Sequence, residues 1–318
     1  MELRDIHKPV AAGDEVLVRV HAASVHPDVS HAVRGVPYVL RIMGSGLLKP
    51  KNKIPGLDMA GRAEAVGAKV TRFRPGDEVF GETISAHRWH NAGAYAEYVA
   101  VPEEVLARKP ASLTFEQAAA VPTSASIALR SLRDQGRIRP GQKVLINGAG
   151  GGVGTFAVQL AKAFGAEVTG VDSTKKLDML RSIGADKVID YTQQDFTQSG
   201  ERYDLMLDIA ANHSFSDCRR ALTPAGTYVI VGDAAGSGRW IGVLGRALKA
   251  LVLSQFVGQG MGAFVSVEKK EAMGVLRELI EAGKVTPVID RTYPLSEVPQ
   301  AIRYVEQGHV QGKVIITV

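Results

Sequence analysis

Between Lys143 and Thr174 the chain reads KVLINGAGGGVGTFAVQLAKAFGAEVTGVDST, and five of the seven residues from Gly148 to Gly154 are glycine. Lys143–Asn147 is an apolar run of strand type. Thr155–Gly165 has helical periodicity and closes on a glycine, so the glycines occupy a strand-to-helix turn. Such a turn presents unpaired backbone N–H groups at the positive end of a helix dipole, which favours a phosphate. Gly151 and Gly154 fit the roles of close pyrophosphate approach and close helix–strand packing, with Ala149 in the place of the first glycine of the G-x-G-x-x-G pattern. A second strand ends at Asp172, about 20 residues on, where an acidic residue can read an adenosine ribose. Ala149, Gly150, Gly151, Gly152, Val153 and Gly154 are therefore expected to hold the pyrophosphate of a dinucleotide.

Which dinucleotide depends on what surrounds that second strand end. Asp172 can accept a hydrogen bond from a ribose 2′-OH, which means NADH. Ser173, Thr174, Lys175 and Lys176 follow at once, and two hydroxyls and two cations suit a 2′-phosphate. Tyr191 ends the next strand and falls near the same ribose in a doubly wound sheet. Asp172 must point away from a 2′-phosphate, or the cofactor is NADH. The pattern favours NADPH with NADH open, and the lysines are equally consistent with a solvated helix start. Val231 and Gly232, at the carboxyl end of a later strand, are expected on the nicotinamide side.

From Lys143 onward strands and helices alternate, which predicts a parallel sheet covered on both faces. The first third is strand-like and rich in turns, 115–136 reads as helix, and the chain closes on a helix and the strand KVIITV. This organisation predicts an α/β unit over residues 116–266, inserted into a β-rich domain formed by 1–115 and 267–318. The single cysteine, Cys218, excludes an intrachain disulfide framework and fits a reducing cytosol, so a cytoplasmic location is expected. Net charge is +5, but no Lys/Arg cluster with interleaved aromatics occurs, so an anionic small molecule is favoured over nucleic acid. The most apolar window, Trp240–Val257, is broken by Arg246 and Lys249, so no membrane span is expected; the N-terminus has no apolar segment of signal-peptide type.

The chain resembles the medium-chain dehydrogenase/reductase superfamily, in its zinc-free quinone oxidoreductase (zeta-crystallin-like) branch. The segments that carry the resemblance are PGLDMAGRAEAVG, RFRPGDEVFG, GAYAEYVAVPEE, AAAVP, INGAGGGVG, RSIGADKVIDY, GKVTPVIDRTYPLSEVPQAI and GKVIITV. The resemblance implies a GroES-like β-rich catalytic domain, a Rossmann domain with a doubly wound parallel sheet for the cofactor, and an active-site cleft between them. It also implies a homodimer through the last strand of the cofactor sheet, within Phe256–Val267, and a small apolar carbonyl or quinone substrate. The chain begins about one strand later than such relatives usually do.

Zinc ligands of the metal-dependent relatives would fall near His26, at Leu57 and near Pro122–Thr123, and of these only His26 could ligate. His87 and His90 read as loop residues, so no metal is expected. Asp58 stands where those relatives carry a carboxylate, and a structural role with a backbone or arginine partner is expected for it. Without a metal, hydride goes most readily to an activated acceptor, whose developing oxygen anion needs donors and a proton. His26, His31 and Tyr38 are the candidates for that work; the family usually has asparagine at the first position and tyrosine in some members at the others. Ile127 replaces a threonine that often touches the nicotinamide, with Ser124 and Ser126 close by. Two alternatives stay open: an NADPH-binding sensor or scaffold with little turnover, and a zinc-type alcohol dehydrogenase.

Overall fold

The computed structural model describes residues 1–35, 53–83, 93–232, 260–263 and 270–318. Tyr38, His87, His90 and the stretch 240–257 lie outside the described residues. The chain divides into two compact units, one of Met1–Ser124, Val267–Glu281 and Pro287–Val318, the other of Ala125–Ser266 and Ala282–Thr286.

In the first unit β1 (Glu15–Val25) is the central strand. One edge pairs antiparallel with β2 (Asp58–Val66). The other edge is shared: Glu15–Arg19 takes β4 (Tyr98–Pro102) and Ala22–Val25 takes β13 (Lys313–Thr317). Register irregularities between Leu17 and Val18, and again between Val20 and Ala22, bend the strand as its partner changes. With β3 (Glu78–Glu82), β5 (Leu106–Arg108) and β12 (Ile289–Pro294), the sheet order is β12-β13-β1-β2-β3-β5. Val16, Val18, Met59, Val79, Val99, Val314 and Ile316 close its core.

The unit runs past the boundary expected at residue 115 because α2 (Phe115–Ala120) packs on β1, β2 and β13. A capping box starts this helix, Gln117 N donating to Thr114 Oγ1 and Thr114 N to Gln117 Oε1. Ala118, Ala119 and Ala120 are fully buried, and side chains this small let the helix sit close to the strands. The single helix read from 115 to 136 is broken at Val121, since Pro122 has no N–H to give and its ring excludes a continuous turn. The next helix, α3 (Pro122–Arg130), ends in a π-type turn over Ser131–Gln135, closed by Gly136 N donating to Ser131 O at 2.8 Å.

The second unit holds β6 (Lys143–Asn147), β7 (Glu167–Asp172), β8 (Lys187–Asp190), β9 (Tyr203–Asp208), β10 (Leu222–Ile230) and β11 (Gly260–Ala263). All pair in parallel, in the order β11-β10-β9-β6-β7-β8. Val144, Leu145, Ile146, Leu205, Met206 and Leu207 are wholly buried, which is why these strands read as continuous apolar runs. The chain leaves β6 toward β7 and β8, then returns to β9 on the other side. The topological switch point, where doubly wound sheets bind ligands, therefore lies between β6 and β9.

The start of β2 and the start of β13 each bury a charge in the first unit. Asp58 is 0% and Lys313 2% exposed. Asp58 Oδ2 accepts from Ser24 Oγ at 2.9 Å, and Oδ1 from Thr123 N and Thr123 Oγ1 at 3.1 and 2.5 Å. Lys313 Nζ lies 3.7 Å from Asp58 Oδ2 and donates to Ser124 Oγ and Val25 O. Thr123 N is the backbone partner expected for Asp58 from sequence, and the cation beside it is a lysine in place of an arginine. Burial draws the proton affinity of Lys313 down, and the Asp58 charge opposes that shift. Removing one member strands the other, so Lys313→Met should destabilise the first unit by about 3–5 kcal/mol. Urea unfolding checks this: Asp58→Asn combined with Lys313→Met should lose less than the two single losses added, and an unaltered Lys313→Met midpoint would contradict the pairing.

Candidate functional site

At the end of β6 the chain turns at Gly148, whose φ of +87° is a left-handed conformation that favours glycine. Gly148 N and Ala149 N both donate to Val171 O on β7, which fixes the turn to the sheet. Helix α4 (Gly152–Ala163) then starts, with Gly151 as its cap and no side-chain hydrogen bond there. The first N–H groups of a helix have no partner within it, so those of Gly152, Val153 and Gly154 need one from elsewhere. A Cβ at Gly151 would have Gly148 O, at 3.7 Å, as its nearest neighbour, whereas one at Gly154 would lie 2.3 Å from that same oxygen. The turn is open at 151 and closed at 154. That arrangement seats α4 tightly on the strand and leaves a cradle at its start which fits the diphosphate of a dinucleotide.

Asp172, at the end of β7, is 6% exposed and faces this turn, its Oδ2 accepting from Gly150 N at 2.8 Å. Lys176 is also 6% exposed, so it is not part of a solvated helix start; its Nζ lies 3.4 Å from Asp172 Oδ1. Lys175 and Thr174 are exposed and Ser173 half-buried. The Thr174 hydroxyl donates to Asp190 at the end of β8. Tyr191 follows with 53% exposure, and its N–H donates to Asp172 O. The structure thus gathers Ala149, Gly150, Asp172, Ser173, Lys176 and Tyr191 around the carboxyl ends of β6 and β7. Val231 and Gly232, both half-buried, follow β10, and their N–H groups donate to Asp208 O at 3.0 and 3.4 Å.

Sequence reading missed the group between β6 and β9. Asp208 is 0% exposed; its Oδ1 accepts from Asn147 Nδ2 at 2.8 Å and Ala211 N at 2.9 Å, and its Oδ2 from Tyr228 OH at 2.5 Å. Asn147 Nδ2 also donates to Asn212 Oδ1, and Ala211 carries a positive φ of 51°. These bonds fix the loop after β9 beside the turn after β6, since Ile209 N and Ala210 N donate to Asn147 O. A polar residue closing each of two apolar strand runs was the available signal.

In the first unit β1 delivers His26 to the start of α1 (Pro27–Arg34). The ring is 7% exposed and its Nδ1 accepts from Asp28 N at 3.3 Å. In that neutral form the ring proton sits on Nε2. Asp28 Oδ2 is 3.4 Å from the same Nδ1 and would stabilise the imidazolium. His31 is exposed near the end of α1, which is tied to α5 (Val298–Glu306) by Arg34 and Ser30, both donating to Glu306. Ser124 is held by Lys313, Ser126 is buried and Ile127 half-buried. Tyr38 lies outside the described residues.

Residues 12–111 match the family described as alcohol dehydrogenase GroES-like domain, and 183–316 the one described as zinc-binding dehydrogenase. The chain is 35% identical to the mitochondrial NAD(P)H oxidoreductase RTN4IP1 of Mus musculus, covering 100% of this chain and 84% of that protein. It is 33% identical to 2-methylene-furan-3-one reductase of Solanum lycopersicum, covering 95% of this chain and 71% of the relative. The solved quinone oxidoreductase of Coxiella burnetii superposes with a TM-score of 0.85 at 28% identity, over 100% of this chain and 94% of the other. The Gly148–Gly154 turn and these relationships along the whole chain lead to one conclusion: this protein belongs to the medium-chain dehydrogenase/reductase superfamily, in its quinone oxidoreductase branch, and is an NAD(P)H-dependent reductase.

Proposed function

We propose that the chain is a zinc-independent, NADPH-dependent reductase that transfers hydride to a small quinone or α,β-unsaturated carbonyl compound. The observation that carries this reading is the open cradle at Gly151, in a chain whose relatives include a methylene-furanone reductase and a quinone oxidoreductase. A bound nicotinamide would supply the hydride. In a conjugated acceptor the developing negative charge spreads onto oxygen, so no metal is required to polarise it. The N–H groups of Gly152–Gly154 bind the diphosphate in this reading, and Ser173, Lys175 and Tyr191 form the rim for the 2′-phosphate. His26 in its imidazolium form, with Nδ1–H facing Asp28 Oδ2, supplies the proton on Nε2 and is left as a neutral ring, which takes up its next proton from solvent; His31 and Tyr38 are the other donors considered.

Zinc independence is supported by the donor set. Both oxygens of Asp58 are engaged by hydroxyl, N–H and ammonium groups, and residue 57 is a leucine. Among the described residues no group of three or more His, Cys, Asp or Glu side chains could hold a metal ion. No described helix is long and apolar enough to cross a membrane. β11, the outermost strand of its sheet among the described residues, supports a homodimer formed by sheet continuation, and light scattering after gel filtration should return twice the 33.9 kDa chain mass.

Absorbance assays with a panel of quinones and enones should show acceptor-dependent oxidation of NADPH, faster than that of NADH. Binding of NADPH without turnover on any acceptor would instead favour the sensor or scaffold reading. Gly151→Asp places a carboxylate in the cradle and should abolish nucleotide binding while leaving the unfolding midpoint in place; unimpaired binding would move the diphosphate elsewhere. His26→Gln should lower kcat by about 10²-fold or more, typical of a lost general acid, with cofactor affinity little altered. Full kcat in that variant would assign the proton to another donor.

A further inference from the structure

We propose that Lys313 is a positioning residue for the proton transfer, its ammonium holding the end of β1 so that His26 keeps its place. This rests on the reading of His26 as proton donor given above. Lys313 Nζ lies 3.2 Å from Ser124 Oγ, 3.4 Å from Val25 O and 3.7 Å from Asp58 Oδ2. Its two shortest contacts are thus with uncharged oxygens, and the carboxylate is the most distant of the three. Asp58 in turn has both oxygens met without the lysine, by Ser24 Oγ, Thr123 N and Thr123 Oγ1. A neutral pair of similar volume commonly holds a fold as well as a buried ion pair does. What an apolar residue lacks is the set of N–H donors that an ammonium aims in several directions at once. Stability alone therefore does not call for a lysine here, whereas donation to Val25 O and Ser124 Oγ does.

Val25 immediately precedes His26, and the strand end is anchored residue by residue. Tyr95 OH donates to Ser24 O at 3.2 Å, Ser24 Oγ donates to Asp58, and Lys313 donates to Val25 O. Ser24, Val25, His26, Tyr95 and Ser124 are all buried, so a partner lost here leaves a polar group stranded away from water. His26 sits at the joint between β1 and α1, and α1 is held separately by Glu306. On the strand side Lys313 reaches across from β13 and takes in Ser124, in the first turn of α3, with the same ammonium. All of these residues belong to the first unit. A catalytic group misplaced by about 1 Å can cost about 10²-fold in rate. An anchor one residue from the imidazole therefore bears more heavily on turnover than on the fold.

The test compares two double variants, Asp58→Asn with Lys313→Met and Asp58→Asn with Lys313→Gln. Neither carries a charge at the site, and only the Lys313→Gln pair keeps N–H groups for Val25 O and Ser124 Oγ. With NADPH and an α,β-unsaturated ketone, kcat of the Lys313→Gln pair should exceed that of the Lys313→Met pair by about tenfold or more. NADPH affinity, the acceptor KM and the urea midpoint should be alike in the two. The NMR signal of the His26 imidazole, assigned by its loss in His26→Gln, should be single in the wild type and the Lys313→Gln pair, and broadened or split in the Lys313→Met pair. Equal kcat in the two pairs would overturn the proposal, whether both are active or both are not. A gap in kcat matched by partial unfolding of the Lys313→Met pair at the assay temperature would overturn it too, making Lys313 merely structural. Should the wild type reduce no quinone or enone, or His26→Gln keep full kcat, the proton-donor reading fails and the catalytic role of Lys313 fails with it. The His26 signal then separates that failure from a failure of the anchoring.

Discussion

The N–H groups that open helix α4 have no acceptor within the helix and no capping side chain, because the cap is Gly151. Much of the second unit serves to keep that end both rigid and open. Val171 O holds the turn through two N–H groups, Asp172 holds a third, and Gly154 lets the helix pack down onto the turn backbone. Any side chain at 154 would lift the helix, and one at 151 would fill the space an anion needs. The cradle is thus a consequence of where side chains are missing.

Three carboxylates at strand ends show how charge is used around this frame. Asp172 ends β7, Asp208 ends β9 and Asp58 begins β2, and each is almost wholly buried. A buried carboxylate is tolerated only when its oxygens are met by donors. Asp58 and Asp172 each take a lysine besides hydroxyl or N–H donors, whereas Asp208 is met by an amide side chain, a backbone N–H and a phenol. Each ties together segments that the sheet alone leaves independent: β1, β2, β13 and the first turn of α3 in one case, the loops after β6 and β7 or β9 in the others. The same groups stabilise the fold, and Asp172 and Asp208 also fix the loops at the carboxyl ends of β6, β7 and β9.

The phosphate turn was legible in sequence because it is local: an apolar run, a glycine cluster and a helical period follow one another within one segment. The parallel sheet was legible for a similar reason, since strands covered on both faces read as uninterrupted apolar runs. The break at Pro122 was carried by a single residue and was overlooked inside a strong helical pattern. Asp172 was recognised by spacing, but the orientation of its side chain depends on a contact with Gly150 that spacing does not encode. The Lys313–Asp58 pair was less accessible still. A lysine beginning a closing strand looks like an ordinary surface residue until the fold brings it to a carboxylate far along the chain. His26 was singled out by the resemblance, as the position where the family usually has asparagine, and its cap bond with Asp28 emerged only from the backbone geometry.

The central claim is that a dinucleotide held at the start of α4 gives its hydride to a conjugated acceptor. The most direct measurement uses NADPH deuterated at the transferring position of nicotinamide C4, each face in turn, with an α,β-unsaturated ketone as acceptor and mass spectrometry of the product. The account predicts one deuterium on the β-carbon from one face only, with the α-hydrogen drawn from solvent. A saturated product carrying no deuterium from either face, or deuterium on the carbonyl carbon, would contradict it.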